Sequence, residues 1–598
     1  MNDFTAKRLT EIKAAHSLPG AFFACAAINA KRPAQWRRDK QGYIPITYEQ
    51  LAVRVRRVAH GLMQAAGVKP GDRVALLMEN IPEWAVVDYA ALAVGAVTVP
   101  LYCSYRAQDM AYVMKDAGVK VVVSSGGKLL RTLLAAMRSC PDVQSVYALQ
   151  KGEDDDPTMA FSELEKDEGD DEALDLRIQA LSHDTLATLV YTSGTTGNPK
   201  GVMLSHGNIM ANLEALDFIE FNPGDKMLSF LPLAHCFERM GGHFLPYSFG
   251  LSVAFAERPD TVAKNMGEAQ PTILISVPRL FEVIRSRIQG QVAKQSGFKR
   301  ELFNAFITLA ARNQRAGLSW LGGVRHRLHD RLVGAKIRGR FGGKLRLLVS
   351  GGAPLSVEVG EFFDCLGLPI IEGYGMTEAS PLISANPPAD RRLGTVGKPV
   401  AGVTVRIADD GEIVVMGANI MKGYWQLPEA TAETVIDGWL HTGDIGTIDE
   451  DGYLHITDRK KDIIVDAGGE NIAPQRIESL LLGDELIEQI VVYGDRHAYL
   501  VAMVVPAREA VESWSESSGL PESDWDALVC SPILRKELQT RISARLAALN
   551  AHEQVRRICV RGEAFSIEDG LLTPTMKVKR RMVYERFRDD FEKLYESK

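Results

Sequence analysis

A segment rich in hydroxyls and glycines, Thr192-Ser193-Gly194-Thr195-Thr196-Gly197-Asn198-Pro199-Lys200-Gly201, follows directly on the apolar run 186–191. Glycines let a backbone turn its N–H groups toward an anion, the hydroxyls add donors, and Lys200 adds positive charge. A polyphosphate suits this combination; an ordinary Ser/Thr/Gly turn is the alternative. No glycine in the segment is followed by Lys and then Ser or Thr, which excludes a Walker-type loop. A second loop, Ser350-Gly351-Gly352-Ala353-Pro354, follows the run 345–349, and its small residues permit close approach of a flat ring. A third, Glu372-Gly373-Tyr374-Gly375-Met376-Thr377-Glu378, offers an aromatic face, a hydroxyl and a carboxylate of the kind that binds hard cations. A fourth, Gly438-Trp439-Leu440-His441-Thr442-Gly443-Asp444, ends in a carboxylate able to accept from both hydroxyls of a vicinal diol.

The first three of these loops leave a short apolar run, and such runs alternate with helical spacing. Residues 73–78, 97–101, 119–124 and 145–149 read as strands and 82–94 as a helix. The pattern recurs at 186–191, 226–231, 273–277, 345–349 and 369–372. This order predicts two layered α/β lobes with mostly parallel sheets. The acidic stretch 153–175 breaks the periodicity and reads as a solvated connector. Short strands and glycine turns at 403–407, 412–415 and 453–457 predict a small antiparallel barrel or distorted sheet. After the charged cluster Asp458-Arg459-Lys460-Lys461-Asp462, a helix at 474–482 and strands at 487–493 and 500–505 predict a last, small unit. The expected class is α/β: a body over 1–458, including a β subdomain at about 395–458, and a mobile α+β C-terminal lid over 459–598.

The 598 residues are 46% hydrophobic and 24% charged, a globular composition, and the net charge of −7 disfavours a dedicated nucleic-acid binder. Seven scattered cysteines without a CxxC pair exclude zinc ribbons and thioredoxin-type centres and suit free thiols in a reducing cytoplasm. Residues 1–20 lack the apolar core of a secretory signal, and the longest apolar run, 89–102, is too short to span a bilayer.

Residues 191–206, YTSGTTGNPKGVMLSH, resemble the signature of the AMP-forming acyl-adenylate synthetases, and the other motifs follow in that family's order. The resemblance implies ATP, Mg²⁺ and coenzyme A as cofactors and co-substrate. It implies that Thr192, Ser193, Gly194, Thr195, Thr196, Gly197 and Lys200 hold phosphates. Gly351, Gly352, Ala353, Glu372, Gly373, Tyr374 and Gly375 then border the nucleoside, and Thr377 meets the α-phosphate. Asp444 and Arg459 bind ribose, Glu378 and Thr192 bind the metal, and Gly468 and Gly469 line the path of CoA. The catalytic set implied is Lys577, Glu378, Lys200 and His235, with Lys579 the alternative register for the lysine in Leu572-Thr573-Pro574-Thr575-Met576-Lys577.

The segment Leu231-Pro232-Leu233-Ala234-His235-Cys236-Phe237-Glu238-Arg239 holds no Asp where amino-acid-activating relatives carry one. Together with the Asp458–Asp462 cluster and the ending at Lys577, it is similar to bacterial long-chain fatty acyl-CoA synthetases. The function implied is activation of a fatty acid to acyl-AMP and then acyl-CoA. The alternatives are a fatty acyl-AMP ligase, a ligase for another carboxylic acid, and a lipid- or nucleotide-binding protein retaining the fold. Residues 279–346 carry sixteen Lys and Arg against three acids, a local charge of +13, at helical spacing with Leu302, Phe303, Phe306, Leu309, Trp320, Leu321 and Leu328. That basic insert reads either as a solvated helical face or as a peripheral contact with anionic membrane, which would place the protein in the cytoplasm or on the inner face of the cell membrane. A homodimer stays open; nucleic acid is not an expected partner.

Overall fold

The computed structural model describes residues 1–152, 157–166, 169–192, 198–258, 261–316, 320–518, 524–573 and 577–596. One sheet has the order Gly423–Tyr424, Lys200–Ser205, Leu186–Thr192, Val97–Pro100, Arg73–Leu77, Val119–Gly126, Ser145–Gln150, Met159–Ala160. It is parallel from Leu186–Thr192 onward, with two antiparallel strands at the other edge. A second sheet runs Lys398–Pro399, Leu382–Ala385, Ile370–Gly375, Leu347–Gly351, Ile273–Ser276, Lys226–Ser229, Ser252–Phe255, Pro33–Asp39, Gly42–Thr47, and is parallel through its middle.

Alternation along the strands stacks the layers. Val74 and Leu76 face a large core that also holds Met227, Val253, Ile273 and Leu347 of the second sheet. Their neighbours Ala75 and Leu77 face an outer core under helices Ala107–Ala117 and Lys128–Met137. On the other sheet, Leu228, Ala254, Leu274 and Leu348 face outward, onto Phe281, Phe303, Phe306 and Phe363. Helix Pro82–Ala93, with every residue but Glu83 buried, lies between the sheets. Strands covered on both faces read as unbroken apolar runs, which is why they stand out in the sequence.

One charge is sunk in that shared core. Asp88 takes Arg239 at 2.5 and 3.2 Å, and Arg239 also donates to the hydroxyls of Thr188 and Thr98 at 2.7 Å each. Despite its burial, Arg239 and His243 hold the Asp88 carboxyl below the usual range. A buried, fully bonded arginine ties the segment after His235 to strands of the other lobe, and removing one partner of such a pair costs about 3–5 kcal/mol.

The acidic stretch is not the solvated connector its composition suggests. Met159–Ala160 adds a strand to the sheet edge and Asp171–Gln179 is a helix N-capped by Asp170, with Leu164 and Leu174 fully buried. Its acids match the cations of helix Tyr48–Gln64: Glu165 pairs with Arg54, and Asp171 and Asp175 with Arg56. Residues 153–156 and 167–168 lie outside the described residues.

Val403–Ile407, Glu412–Gly417, Trp439–Ile448, Val435–Ile436 and Leu454–Arg459 form an antiparallel sheet. Beyond it, strands Ile487–Tyr493, Leu500–Pro506 and Val555–Val560 carry one core on each face. Ile490, Val492, Ala502 and Val504 pack beneath helices Pro474–Leu481 and Pro532–Arg545, and Val491, Val501 and Met503 beneath Phe565, Val583 and Phe591. The basic insert forms helices Pro278–Ala293, Gly297–Ala316, Trp320–His329 and Ala335–Arg340. Phe303 and Phe306 are buried as their spacing predicts, but Leu328 faces outward.

Candidate active site

The second and third motifs leave strands of one sheet, whereas the fourth is not a loop but lies largely within strand Trp439–Ile448 of another. Strands Leu347–Gly351 and Ile370–Gly375 are parallel neighbours with Gly351 opposite Gly373, so the second and third loops emerge side by side. A Cβ on Gly351 would stand 2.8 Å from the Phe237 ring, and one on Gly375 1.9 Å from the Pro381 carbonyl oxygen. Glycine is required at both. Ala353 follows Gly352, whose φ is +83°.

Tyr374 donates its hydroxyl to Asp444 Oδ2 at 2.6 Å, and Arg459 Nε donates to Asp444 Oδ1 at 3.0 Å. Asp444 and Arg459, fifteen positions apart, sit opposite each other on antiparallel strands, and the hairpin between them sets the two side chains face to face. Glu378, on a single turn after the third loop, is buried, and its Oε1 accepts from the Tyr424 hydroxyl at 2.8 Å. Burial raises the Glu378 pKa above the usual carboxylate range, partly offset by hydrogen bonding. Tyr424 also lies under Lys200, whose Nζ is 4.7 Å from the ring centre. The two meet because strand Gly423–Tyr424 pairs with strand Lys200–Ser205. Thr192 ends its strand opposite Lys200, while Ser193, Gly194, Thr195, Thr196 and Gly197 lie outside the described residues. Glu372 is buried, accepts from the Leu355 N–H at 3.2 Å, and leaves Oε2 without a hydrogen bond; burial raises its pKa to about 7.

Lys577 completes the cleft from the C-terminal unit. Leu572 and Val578 bridge, and Thr573 N–H donates to the Lys577 carbonyl at 2.8 Å, which holds the backbone of Lys577 against that of Thr573. The residue is exposed, although protein crowds its ammonium enough to strip part of its hydration. Desolvation first, and Arg459 second, lower its pKa to about 8, against the opposing pull of Asp444. His235 feels the same lysine: desolvation, then Lys577, lower its pKa to about 4, so the imidazole is neutral at pH 7. His235 Nδ1 accepts from the Phe237 N–H at 3.2 Å. Lys579 instead caps helix Arg580–Arg586, its N–H held by the Leu571 carbonyl.

The structure thus brings Tyr374, Asp444, Arg459, His235 and Lys577 to one cleft, and Lys200 and Glu378 to a second group around Tyr424. Gly468 and Gly469 belong to neither group. They form a turn on Asp466 between Ile464–Val465 and Asn471–Ile472, packed on the backbone of residues 495–497. Tyr424 is the functional candidate that sequence reasoning misses; only the aromatic pair after Gly423 hinted at it. Phe237, the floor beneath Gly351, is another. At the joint, Lys460 bonds Asp410 at 2.6 Å and Glu412 at 3.2 Å, and Asp458 accepts from the Gln475 N–H at 3.3 Å. Among the described residues no group of three or more His, Cys, Asp or Glu side chains is placed to hold a metal.

Comparison with known proteins gives a consistent picture. The AMP-binding enzyme family model matches residues 22–425, and that of the AMP-binding enzyme C-terminal domain matches 461–598. The chain is 36% identical over 563 residues to long-chain-fatty-acid–CoA ligase FadD15 of Mycobacterium tuberculosis, covering 92% of each protein. It is 34% identical to the peroxisomal long chain acyl-CoA synthetase 6 of Arabidopsis thaliana, covering 92% of this chain and 81% of that one. Among solved structures, the adenylation domain of a Mycobacterium chelonae carboxylate reductase shares the fold with a TM-score of 0.75 at 23% identity, over 99% of this chain and 96% of that one.

Proposed function

The chain belongs to the AMP-binding enzyme family, and from that premise we propose that it is an ATP-dependent long-chain fatty acid–CoA ligase. A carboxylate acylates poorly because oxide is its leaving group. Attack of a carboxylate oxygen on the α-phosphorus of ATP expels pyrophosphate and leaves an acyl-AMP. The CoA thiol then attacks the acyl carbon, AMP departs, and the thiol proton passes to solvent. The observation that carries this reading is the Asp444 carboxylate clamped between Tyr374 at 2.6 Å and Arg459 at 3.0 Å, with Lys577 near enough to act electrostatically on His235.

Asp444 keeps lone pairs beyond those used by Tyr374 and Arg459, enough to accept from both ribose hydroxyls. Tyr374 supplies a face for adenine, with Glu372, Gly351, Gly352, Ala353, Gly373 and Gly375 around it. Thr192, residues 193–197 and Lys200 take the phosphates, and Thr377 the α-phosphate. Lys577 neutralises charge developing on the oxygen that leaves with pyrophosphate, a role needing position and charge but no covalent bond to the enzyme. Neutral His235 orients the carboxylate. Mg²⁺ characteristically takes one or two carboxylates together with substrate phosphates; Glu378, whose Oε1 already accepts from Tyr424, would supply a carboxylate oxygen and Thr192 a hydroxyl. The ion withdraws charge from phosphate oxygen when bound.

CoA transfer uses the other surface of the small unit, where the Gly468-Gly469 turn leaves room for the pantetheine arm once the joint at Lys460 and Lys461 has rotated. The hairpin between Asp444 and Arg459 is tight and adds no segment that would block rotation, which favours CoA ligase over acyl-AMP ligase. The basic insert faces an anionic lipid surface, where a long-chain acid resides; no described helix is long and apolar enough to cross a membrane. The test is pyrophosphate release with palmitate, with and without CoA. Release with palmitate, and acyl-CoA once CoA is added, is expected. Acyl-AMP that CoA cannot discharge overturns the ligase assignment.

A further inference from the structure

The charge of the insert divides into two populations. Arg279 reaches Glu282 and Glu488 at 3.6 Å, Arg285 reaches Glu358 at 3.5 Å, Arg338 takes Asp330 at 2.7 Å, and Arg346 takes Asp225 at 2.5 Å. Arg285 and Arg346 stitch the insert to the body, Arg279 reaches the C-terminal unit through Glu488, and the Arg338–Asp330 pair closes within the insert. Further along, the pattern changes. Val324, Leu328 and Leu332 stand on successive turns and are 48, 58 and 43% exposed. The inner side of the same helix is already occupied, since His326 stacks on Phe306 with ring centres 6.1 Å apart. Exposed Arg325 flanks the apolar row on one side and exposed Arg327 and Arg331 on the other, with exposed Lys336 one turn further on. Among the described residues none of these four has an acidic partner.

Each occupant explains a different part of this face. Solvent would not select three outward aliphatic side chains at one spacing. A nucleic acid would pair with the arginines and leave the aliphatics unused. A second copy would cover the aliphatics and set like charges against each other. A phospholipid surface satisfies both, because aliphatic side chains sink below the headgroups while flanking cations meet their phosphates.

We propose that Val324, Leu328 and Leu332, ringed by Arg325, Arg327, Arg331 and Lys336, form the face by which the protein docks on an anionic phospholipid bilayer. The face narrows the assignment of the whole insert made above; it leaves the first helix, with Arg279 and Arg285, out of the contact. It draws its purpose from the fatty-acid reading, because a docked enzyme takes its substrate from the phase that dissolves it.

Full-length protein is sedimented with phosphatidylcholine vesicles, with and without phosphatidylglycerol, across a salt series. Binding is expected only with phosphatidylglycerol. The pair Leu328→Ser/Leu332→Ser lowers the partition coefficient about tenfold at every salt concentration. The pair Arg327→Gln/Arg331→Gln lowers it by about tenfold at low salt and far less at high salt. The pair Arg279→Gln/Arg285→Gln leaves it unchanged. Equal binding to neutral vesicles, or full binding by both outer-face variants, overturns the proposal. So does a dimer in lipid-free sedimentation velocity that the leucine substitutions dissolve, or competition by DNA at the same residues without lipid binding. Pyrophosphate release with a water-soluble acid in lipid-free buffer separates this from the ligase reading. Release by a protein that ignores vesicles defeats only the docking face; vesicle binding by a protein that activates no acid defeats only the ligase.

Discussion

On the body side of the cleft, Asp444 is clamped between Tyr374 and Arg459, and Glu378 is anchored by Tyr424. On the other side, Lys577 stands on a two-residue bridge, exposed, with no described hydrogen bond from its ammonium. In the proposed reaction the groups that a nucleotide needs throughout both half-reactions are locked by their neighbours, and the group needed while charge develops in only one of them is delivered by the C-terminal unit. Preorganisation and delivery are different ways of placing charge, and they fail differently when altered.

The largest effect follows from removing what is delivered. Lys577→Ala is expected to slow acyl-AMP formation by about 10²–10³, the cost typical of losing one group that stabilises developing charge. CoA transfer from supplied acyl-AMP should change little; equal loss in both half-reactions would sink the division of labour. The same lysine sets the alkaline limb of adenylation. Its pKa of about 8 lies below the ordinary lysine value, so the charged form prevails below pH 8 and the rate should fall as pH rises through it. Lys577→Arg, charged throughout, should keep whatever activity it has across that range, and a pH–rate profile is the measurement.

The next effect tests the clamp. Asp444→Asn should raise the KM for ATP about ten- to hundredfold in adenylation and weaken AMP in both half-reactions, because a charged acceptor is lost. Tyr424→Phe removes one hydrogen bond and should raise the Mg²⁺ concentration needed for half-maximal rate about three- to tenfold, a dependence that Lys577→Ala leaves alone. The smallest effect belongs to the joint. Lys460→Ala breaks an exposed pair with Asp410 and a longer one with the buried Glu412, and should shift the ratio of the two half-reaction rates by under about fivefold.

The strands were legible because two-sided burial writes them as apolar runs; 73–78, 119–124 and 487–493 match Arg73–Leu77, Val119–Gly126 and Ile487–Tyr493 almost residue for residue. The motifs proposed to face a nucleotide stand out in the sequence as glycine, hydroxyl and carboxylate in fixed order. Tyr424 does not, because its value lies in a pairing with strand Lys200–Ser205 that leaves no local spacing signal. The acidic connector misled because solvated acids and acids paired to Arg54 and Arg56 have the same composition. Within the basic insert, periodicity found the apolar positions but could not say that Phe306 of one helix points inward and Leu328 of the next outward, since spacing marks an apolar side without saying what covers it.

The core shared by the two large sheets has a consequence for dissecting the chain. Val74 from one sheet and Met227 from the other belong to a single buried cluster, so either lobe expressed without its companion would bare a face meant for the other and aggregate. The C-terminal unit differs: its three strands are covered on both sides by its own residues. Cut after Lys460, the chain should give two fragments that each stay in solution, whereas a cut between the lobes should give none.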